Sequence, residues 1–283
     1  MTNEVIIFIL TYGRPNNVKT LKSLKKCGYT GDYKLLCSDD DKSVNEYKKK
    51  YGDKVIVFSK EEVAKTTDLA DNFDDWGVIF FARNVCFKIA KELGYKYFIQ
   101  FDDDYTSFNY RVDGRGKYNT KQTLIKDLDF FIALLLNYFK KIPAKSLCIG
   151  QAGDYIGGAS CSIFKKGLAR KAMNSFLCST ERPFKFIGRV NEDVNTYVRL
   201  GGQGHLFFTV SELSLTQALT QSSEGGMTST YLDGGTYIKS FYTIITNPSS
   251  VKVSLMGAKN RRLHHKINWN TSVPKIIEEE HKK

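Results

Sequence analysis

Three consecutive acidic residues, Asp102, Asp103 and Asp104, directly follow Tyr97–Phe101, an apolar run typical of a buried strand. Side chains alternate along an extended segment, so Asp102 and Asp104 should face one side and Asp103 the other. Mg²⁺ and Mn²⁺ prefer oxygen ligands, and such a cation neutralises the charge of a diphosphate leaving group. An acidic turn without a chemical role is the alternative. The position after a buried strand favours a metal site formed by Asp102 and Asp104.

Two further polar clusters follow predicted strands. The aliphatic run Val5–Leu10 leads into Thr11–Arg14, and the strand predicted at Tyr33–Cys37 leads into Ser38–Asp41. In open parallel sheets, ligands bind beyond the carboxyl ends of the strands. We therefore expect these two clusters and the three aspartates to form one binding site.

The elements that must position these clusters alternate between strands and helices over about the first 105 residues. This alternation predicts an α/β fold with a mostly parallel, doubly wound sheet and helices on both faces. We expect a single domain with a nucleotide-binding lobe at 1–105, an acceptor-binding lobe at 106–250 and a basic C-terminal segment at 251–283. Helices are predicted at Asn17–Cys27, Ser43–Tyr51 and Val78–Leu93, and a third strand at Lys54–Phe58.

The second lobe has weaker patterns. Its predicted helices are Leu124–Phe139, a basic helix at Lys165–Phe176, and Asn191–Leu200; its predicted strands are Ser146–Gly150, Ser160–Phe164 and Phe207–Val210. The Ser-, Thr- and Gly-rich stretch Gln217–Gly235 has no periodicity and is interpreted as a loop over the site. Tyr237–Thr246 is compatible with a helix or a strand.

The composition indicates a globular protein with a polyanionic partner. The 283 residues carry 42 Lys and Arg against 30 Asp and Glu, a net charge of +12. Arginine suits phosphate contacts, so the Arg-containing clusters are the candidate contacts to such a partner, and surface filler is the alternative. No apolar run reaches eighteen residues, and we expect a cytoplasmic protein without a membrane span or an obligate protein partner. The candidate contacts, which become DNA contacts under the resemblance given below, are Lys165, Lys166, Arg170, Arg261 and Arg262.

Cysteines and glycines offer two smaller expectations. The six cysteines include no CxxC pair and lie mostly among apolar neighbours, which favours reduced core thiols over a zinc site. The turn Gly157–Ser160 would allow the backbone to approach a donor sugar at Gly158, although a simple tight turn explains it equally well.

The ordered segments Val5–Pro15, Leu35–Asp40, Ala82–Ala90 and Tyr97–Asp104 together resemble a GT-A glycosyltransferase. The resemblance implies a UDP-sugar donor, a Mn²⁺ or Mg²⁺ ion, and a DXD motif at Asp102–Asp104. It also implies that Ala82-Arg83-Asn84 begins the helix whose polar side chains reach the nucleotide. The residues expected to bind the nucleotide sugar are Thr11, Tyr12, Arg14, Asp39, Asp40, Arg83, Asn84, Asp102, Asp103 and Gly158.

Asn191-Glu192-Asp193 resembles the acidic pair that supplies the catalytic base of inverting GT-A enzymes. A carboxylate at a helix N-terminus is held ionised and could deprotonate an acceptor hydroxyl, although a simple helix cap explains it nearly as well. Asp193 is the preferred base and Glu192 the second choice. The resemblance also offers His265 as a third metal ligand, and a phosphate-binding surface around His264 is the alternative.

The net charge and the segments Asn191–Asp193, Gly225–Met227 and Lys239–Tyr242 resemble the TET-associated, phage-type DNA glycosyltransferases. That resemblance implies transfer of a sugar to a hydroxymethylated cytosine or uracil base in double-stranded DNA. A glycan or protein acceptor is the alternative within the enzyme class. A metal-dependent nuclease or nucleotidyltransferase, or a non-catalytic DNA-binding module, is the alternative of another class. The donated sugar, the anomeric outcome and the oligomeric state stay open at this point.

Overall fold

The structure, a computed structural model, describes residues 4–70, 76–218, 238–256, 261–272 and 279. Its first 102 residues alternate strands and helices as the sequence predicts, with boundaries shifted by one or two residues. The elements are β1 (Val5–Leu10), α1 (Lys19–Lys26), β2 (Tyr33–Ser38), α2 (Val44–Tyr51), β3 (Val55–Phe58), α3 (Lys60–Ala64), α4 (Phe80–Glu92) and β4 (Tyr97–Asp102).

The second half contains strands that the sequence analysis did not predict. The hairpin of β5 and β6 follows the three aspartates directly, and a second hairpin of β10 and β11 lies near the C-terminal end. The elements are β5 (Tyr105–Val112), β6 (Tyr118–Leu124), α5 (Leu128–Lys141), β7 (Ala144–Gln151), α6 (Ser162–Lys166), β8 (Phe176–Ser179), α7 (Glu192–Gly202), β9 (Leu206–Gln217), α8 (238–246), β10 (Val251–Met256) and β11 (Arg262–Ile267).

Two predictions in this half are wrong. The stretch predicted as a strand at Ser160–Phe164 forms the end of a 3₁₀ turn and the start of α6, because Gly157 and Gly158 both adopt positive φ and turn the chain. The basic helix predicted at Lys165–Phe176 ends at Lys166, and Gly167, at φ +67°, ends it. The loop predicted at Gln217–Gly235 lies almost entirely outside the described residues.

Nine strands form one sheet in the order β3-β2-β1-β4-β8-β7-β9-β5-β6. The strands β1 to β4 are parallel, as are β7 and β9, whereas β8 runs antiparallel to both of its neighbours. Leu10 pairs with Leu36 on one side and with Asp102 on the other, so the ends of the three strands lie at one edge. The expected α/β fold, with parallel strands in the first half of the sheet, is confirmed.

Helices cover both faces of this sheet. All six residues of β1 are buried, because alternate side chains pack on opposite faces. Ile7 and Ile9 belong to the core shared with α1, α2 and α5, whereas Phe8 and Leu10 belong to the core shared with α4 and α7. Residues 1–105 and 106–250 both contribute strands to the nine-stranded sheet, and their division into two lobes stays a prediction.

Two expectations about the composition can be compared with the structure. All six cysteines are buried and free, which confirms that they are core thiols. Within the described ranges, no helix has the length and apolar character needed to cross a membrane.

Candidate functional site

The turn after β1 contacts Asp103, the middle residue of the cluster Asp102–Asp104, through a hydrogen bond and an ion pair. The Thr11 hydroxyl donates to Oδ2 of Asp103 at 2.8 Å, and Nη1 of Arg14 lies 3.1 Å from Oδ1. Burial raises the pKa of Asp103, while Arg14 and Thr11 act in the opposite direction. The ion pair and the hydroxyl therefore compensate a carboxylate that is only 6% exposed. The nucleotide contact expected of Asp103 stays a prediction, and its observed contacts position Thr11 and Arg14.

Tyr47, which the sequence analysis did not single out, and Asp41, from the predicted cluster Ser38–Asp41, complete this turn. The Thr11 proton is used on Asp103, so the hydroxyl of Tyr47 donates to Thr11 at 2.7 Å, and it accepts from the backbone N–H of Arg14 at 2.8 Å. Oδ2 of Asp41 accepts from the backbone N–H of Gly13 at 2.7 Å. Tyr47 lies in α2 and Asp41 lies just before it, so this helix holds the turn after β1 in place.

The residues expected to meet the nucleotide base surround Lys60. Its Nζ lies 2.8 Å from Asp40 and 4.7 Å from the ring centre of Tyr12, and it donates to the Trp76 carbonyl at 2.6 Å. Asp39 and Asp40 are exposed, while Lys60 is 5% exposed. Burial, followed by Asp40 and Asp41, raises the pKa of the Tyr12 phenol. The ends of the first and second strands thus meet at a polar cluster around the buried side chain of Lys60.

Arg83 connects two acidic parts of the site. Its Nη2 lies 2.9 Å from Oδ1 of Asp102, and its Nε lies 2.8 Å from Oε1 of Glu192. The guanidinium carbon lies 5.1 Å from the ring centre of Phe176 and 5.9 Å from that of Phe186, and the residue is 1% exposed. Burial alone would lower the pKa of Arg83, but Asp102 and Glu192 raise it above its ordinary value. The three residues form an ion-pair triad in which Arg83 and Glu192 are buried and Asp102 is partly exposed.

The neighbouring Asn84 is engaged with the backbone. Its side-chain oxygen accepts from the N–H of Phe186 at 2.8 Å, and its Nδ2 donates to the Phe186 carbonyl at 3.2 Å. The side chains of Arg83 and Asn84 thus have buried partners, and the nucleotide contact expected of both stays a prediction.

The two outer aspartates of the cluster share a neutral neighbour, Gln217, the last residue of β9. Its Nε2 lies 3.3 Å from Oδ2 of Asp102 and 3.3 Å from Oδ1 of Asp104. The pKa of Asp102 is raised to about 7, chiefly by burial and also by Asp104 and Glu192, while Arg83 acts in the opposite direction. Burial also raises the pKa of Asp104.

These contacts test whether a divalent cation fits the cluster. A single donor group reaches both carboxylates, so Asp102 and Asp104 face one common space, as strand alternation predicts. Two buried carboxylates beside each other repel, and a cation between them would relieve that repulsion. Oxygen donors on partly buried carboxylates also match the ligand preference of Mg²⁺ and Mn²⁺. The residues present therefore fit a divalent cation.

His265 is not brought into a metal-binding group with these aspartates. Within the part of the chain that the structure describes, no three His, Cys, Asp or Glu side chains are grouped closely enough to hold a metal ion. His265 pairs with Val253 in the β10–β11 hairpin, and its Nδ1 is buried without a hydrogen-bond partner among the described residues. Its pKa is lowered to about 4, chiefly by burial and also by His264, Lys239 and Lys171. Its neighbours are basic, which does not support the expected set of Asp102, Asp104 and His265.

The two candidate bases stand at the N-terminus of α7. Asn191 adopts the left-handed conformation there, and its Nδ2 donates to the Lys239 carbonyl at 2.7 Å and to Thr243 at 2.8 Å. Helix α8 therefore holds the start of α7 in place. Glu192 is bound to Arg83, whereas Asp193 accepts only the N–H of Val194, at 2.7 Å, among its described hydrogen bonds. Asp193 is 8% exposed, so water has little access to it.

Other residues predicted for the site lie elsewhere. Gly158 adopts φ +60° in the turn before α6, where an added Cβ would lie 3.5 Å from the Tyr118 ring. The basic residues between Lys165 and Arg189 do not all lie on one exposed surface. Arg182 donates to backbone carbonyls, and Arg189 is only 3% exposed. The fifth candidate DNA contact, Arg262, has a side chain outside the described part. The other four are exposed: Lys165, Lys166, Arg170 and Arg261.

The chain was compared with known proteins. No curated protein matches it. Among solved structures, it is similar to a glucosyl-3-phosphoglycerate synthase from Mycobacterium tuberculosis, in complex with Mg²⁺ and uridine diphosphate, with 10% identity and a TM-score of 0.46, covering 93% of this chain and 87% of that one. It is also similar to a protein from Desulfovibrio desulfuricans that is described as a nucleotide-diphospho-sugar transferase. The identity is 10% and the TM-score 0.40, and the match covers 85% of this chain and 99% of that one. Both similarities are distant.

The family comparison covers most of the chain. The model of the TET-Associated Glycosyltransferase family matches residues 5–226, and this chain therefore belongs to that family of glycosyltransferases.

Proposed function

We propose that this glycosyltransferase uses a UDP-sugar and a divalent cation to glycosylate a hydroxymethylated pyrimidine base in double-stranded DNA. The observation that carries the proposal is the ion-pair triad Asp102–Arg83–Glu192, with N···O distances of 2.9 and 2.8 Å. It ties the aspartate cluster, where a diphosphate would bind, to the helix that carries Asp193. Donor and acceptor chemistry would then share one rigid frame.

The donor would bind at the polar cluster around Lys60, where the first and second strands end. Tyr12, Asp39, Asp40 and Lys60 provide an aromatic face and polar groups for a nucleotide base, and Thr11 and Arg14 are fixed beside them. Asp102 and Asp104 would hold Mn²⁺ or Mg²⁺, which supplies neutralisation of the leaving diphosphate when bound.

Asp193 would act on the acceptor. It lies in the first turn of α7, and its carboxylate would accept the proton of a hydroxymethyl group as that oxygen bonds to the sugar carbon. The bond from that carbon to the diphosphate breaks in the same step, and UDP leaves. Glu192 is the second choice as the base because its carboxylate is paired with Arg83. This assignment corresponds to inversion at the sugar carbon.

DNA as the acceptor is supported by the family and by charge. The net charge is +12, and Lys165, Lys166, Arg170 and Arg261 are exposed. Basic side chains supply the sequence-independent part of DNA affinity through phosphate contacts. Because Asp193 is buried, a base inside a duplex would have to leave the stack to reach it.

The proposal is tested by incubating hydroxymethylated duplex DNA with Mn²⁺ and a panel of UDP-sugars, followed by mass spectrometry of the nucleosides. We expect a hexosyl or pentosyl adduct on the hydroxymethylated base, no adduct on unmodified DNA, and no adduct after chelation. UDP-sugar hydrolysis without any DNA adduct would leave a glycosyltransferase with a glycan or protein acceptor. An absence of both hydrolysis and transfer would overturn the enzyme assignment.

A further inference from the structure

The amide of Gln217 lies between the two aspartates expected to bind a cation. Nε2 contacts Asp102 and Asp104 at 3.3 Å each, while Oε1 accepts from Nδ2 of Asn174 at 2.7 Å and from Nε2 of Gln151 at 3.4 Å. No other side-chain amide of the described residues is bonded to either carboxylate. The backbone holds it there, because Gln217 pairs with Tyr105 and the next residue, Ala218, donates to the Asp104 carbonyl at 3.1 Å.

An N–H group and a cation cannot both face these carboxylates from the same side. In the structure the amide hydrogens complement two negative groups. A divalent cation bound to Asp102 and Asp104 would repel the same hydrogens. The amide must then move away or turn over so that its oxygen faces the cation. The amide of a glutamine turns by rotation about one side-chain bond, which needs no backbone movement.

The partner Asn174 can make the matching turn. It adopts the left-handed conformation at φ +59°, and its carbonyl accepts from the Tyr105 hydroxyl at 2.9 Å and from Nη1 of Arg83 at 3.5 Å. These contacts fix its backbone but leave its own amide group free to rotate. When Gln217 presents Nε2 to Asn174, the asparagine presents its oxygen in return, and the hydrogen bond between the two amides is kept. Gln151 does not follow this turn, because its side chain accepts from the backbone N–H of Asp154, so only its weaker 3.4 Å contact is given up.

We infer that Gln217 is a ligand of the divalent cation, and that its amide turns over on binding so that Oε1 replaces Nε2 beside Asp102 and Asp104. The inference rests on the proposed function, because it takes the aspartate cluster as a cation site. Asn174 is the positioning residue for this turn. The described residues hold no third carboxylate or histidine grouped with the pair, and a neutral oxygen from Gln217 supplies the missing protein ligand. An amide oxygen is a ligand that suits Mg²⁺ and Mn²⁺.

The test measures Mn²⁺ binding to the full chain by electron paramagnetic resonance of the free ion, without sugar transfer. Gln217→Leu keeps a side chain of similar size and removes the oxygen, so Mn²⁺ affinity should fall tenfold or more, within the range of about 10- to 100-fold known for groups that support metal sites. Gln203→Leu, on an exposed glutamine at the end of α7, should bind Mn²⁺ like the wild type. If the amide merely fills the space, Gln217→Leu would bind Mn²⁺ equally well or more tightly, and the inference would be overturned.

A second pair of variants applies if Gln217→Leu does not fold. Gln217→Glu and Asn174→Asp each add one negative charge, but only the first adds it at the proposed ligand. We expect a larger gain in Mn²⁺ affinity for Gln217→Glu, and an equal or larger gain for Asn174→Asp would contradict the inference. Failure of the proposed cation site is seen separately, because the wild-type protein would then bind no Mn²⁺, and the inference would fall with it.

Discussion

Two groups of charged residues in this protein differ in burial and in ion pairing. Around the strand ends, Arg83 is paired with Asp102 and Glu192, and Arg14 with Asp103, all at 2.8 to 3.1 Å and mostly buried. At the outer surface, Lys165, Lys166, Arg170 and Arg261 are exposed. A buried charge is costly without its partner, whereas an exposed charge is solvated and screened by salt. The paired region is therefore organised before any ligand arrives, and the exposed region can only act through the sum of its charges.

The largest effect that this contrast predicts is the loss of Arg83. Arg83→Leu leaves two buried carboxylates without their cation, which should lower the free energy of unfolding by about 3–5 kcal/mol. Chemical denaturation with urea measures this loss. Lys165→Ala, on the exposed region, should change stability by less than about 0.5 kcal/mol. If both variants unfolded at the same urea concentration, the contrast between the two regions would not hold.

Removal of Asp104 should act on chemistry and leave the fold intact, since this partly exposed residue has no basic ion-pair partner among the described contacts. Asp104→Ala should lower transfer by about a thousandfold or more and abolish Mn²⁺-dependent UDP binding, because cation neutralisation of a leaving group contributes several kcal/mol. Asp53→Ala, on an aspartate with an 86% exposed side chain, is the matched control. Turnover like that of the wild type in Asp104→Ala would exclude the DXD assignment.

Asp193 and Glu192 should separate cleanly even though they are adjacent. Asp193→Asn should lose about 10²–10⁴ in turnover while retaining UDP affinity and stability, because it removes only a proton acceptor. Glu192→Gln should lower stability as well, because it weakens the pair with Arg83. Steady-state kinetics and urea unfolding of both variants check this. Unchanged turnover in Asp193→Asn would favour Glu192 or a retaining mechanism without a base.

The smallest effects are expected from the exposed region. Neutralising Arg261 and Arg262 together should lower the slope of log K against log salt for duplex DNA by about two, because each lost phosphate contact lowers it by about 0.9. Lys165→Ala with Lys166→Ala tests the other exposed cluster. Lys48→Ala with Lys49→Ala removes the same charge from exposed positions of α2 and should leave the slope unchanged. If all three double variants had the wild-type slope, the basic excess would be surface filler without contact to DNA.

The paired region was largely predictable from the sequence because its residues follow local patterns. Val5–Leu10 and Tyr97–Phe101 are continuous apolar runs, and the polar residues that end them meet because parallel strands end at one edge. Gln217 was not predictable. It reaches the cluster through pairing of β9 with β5 across more than a hundred residues, and its sequence neighbours show no motif. Tyr47 was assigned to a helix, but nothing in that helix shows that its hydroxyl contacts Thr11.

The β5–β6 hairpin was missed for a different reason. Asp113-Gly114 at its turn is a recognised hairpin signal. However, β6 is the edge strand of the sheet and is mostly exposed, so it lacks the apolar alternation by which strands are recognised. In the same way, Ser160–Phe164 has strand-like composition, but the two preceding glycines turn the chain. Composition predicts the buried centre of a sheet better than its margins.

The six buried thiols make this protein convenient for labelling experiments. Burial raises the pKa of Cys37 and of Cys178 to about 12, so neither forms the reactive thiolate at neutral pH while the chain is folded. Alkylating reagents should react with the native cysteines only when the structure opens, and the rate of alkylation then reports on that opening. A cysteine introduced on the surface, for example at Lys166, would react first. Fluorophores or spin labels could be attached there without removing any native cysteine.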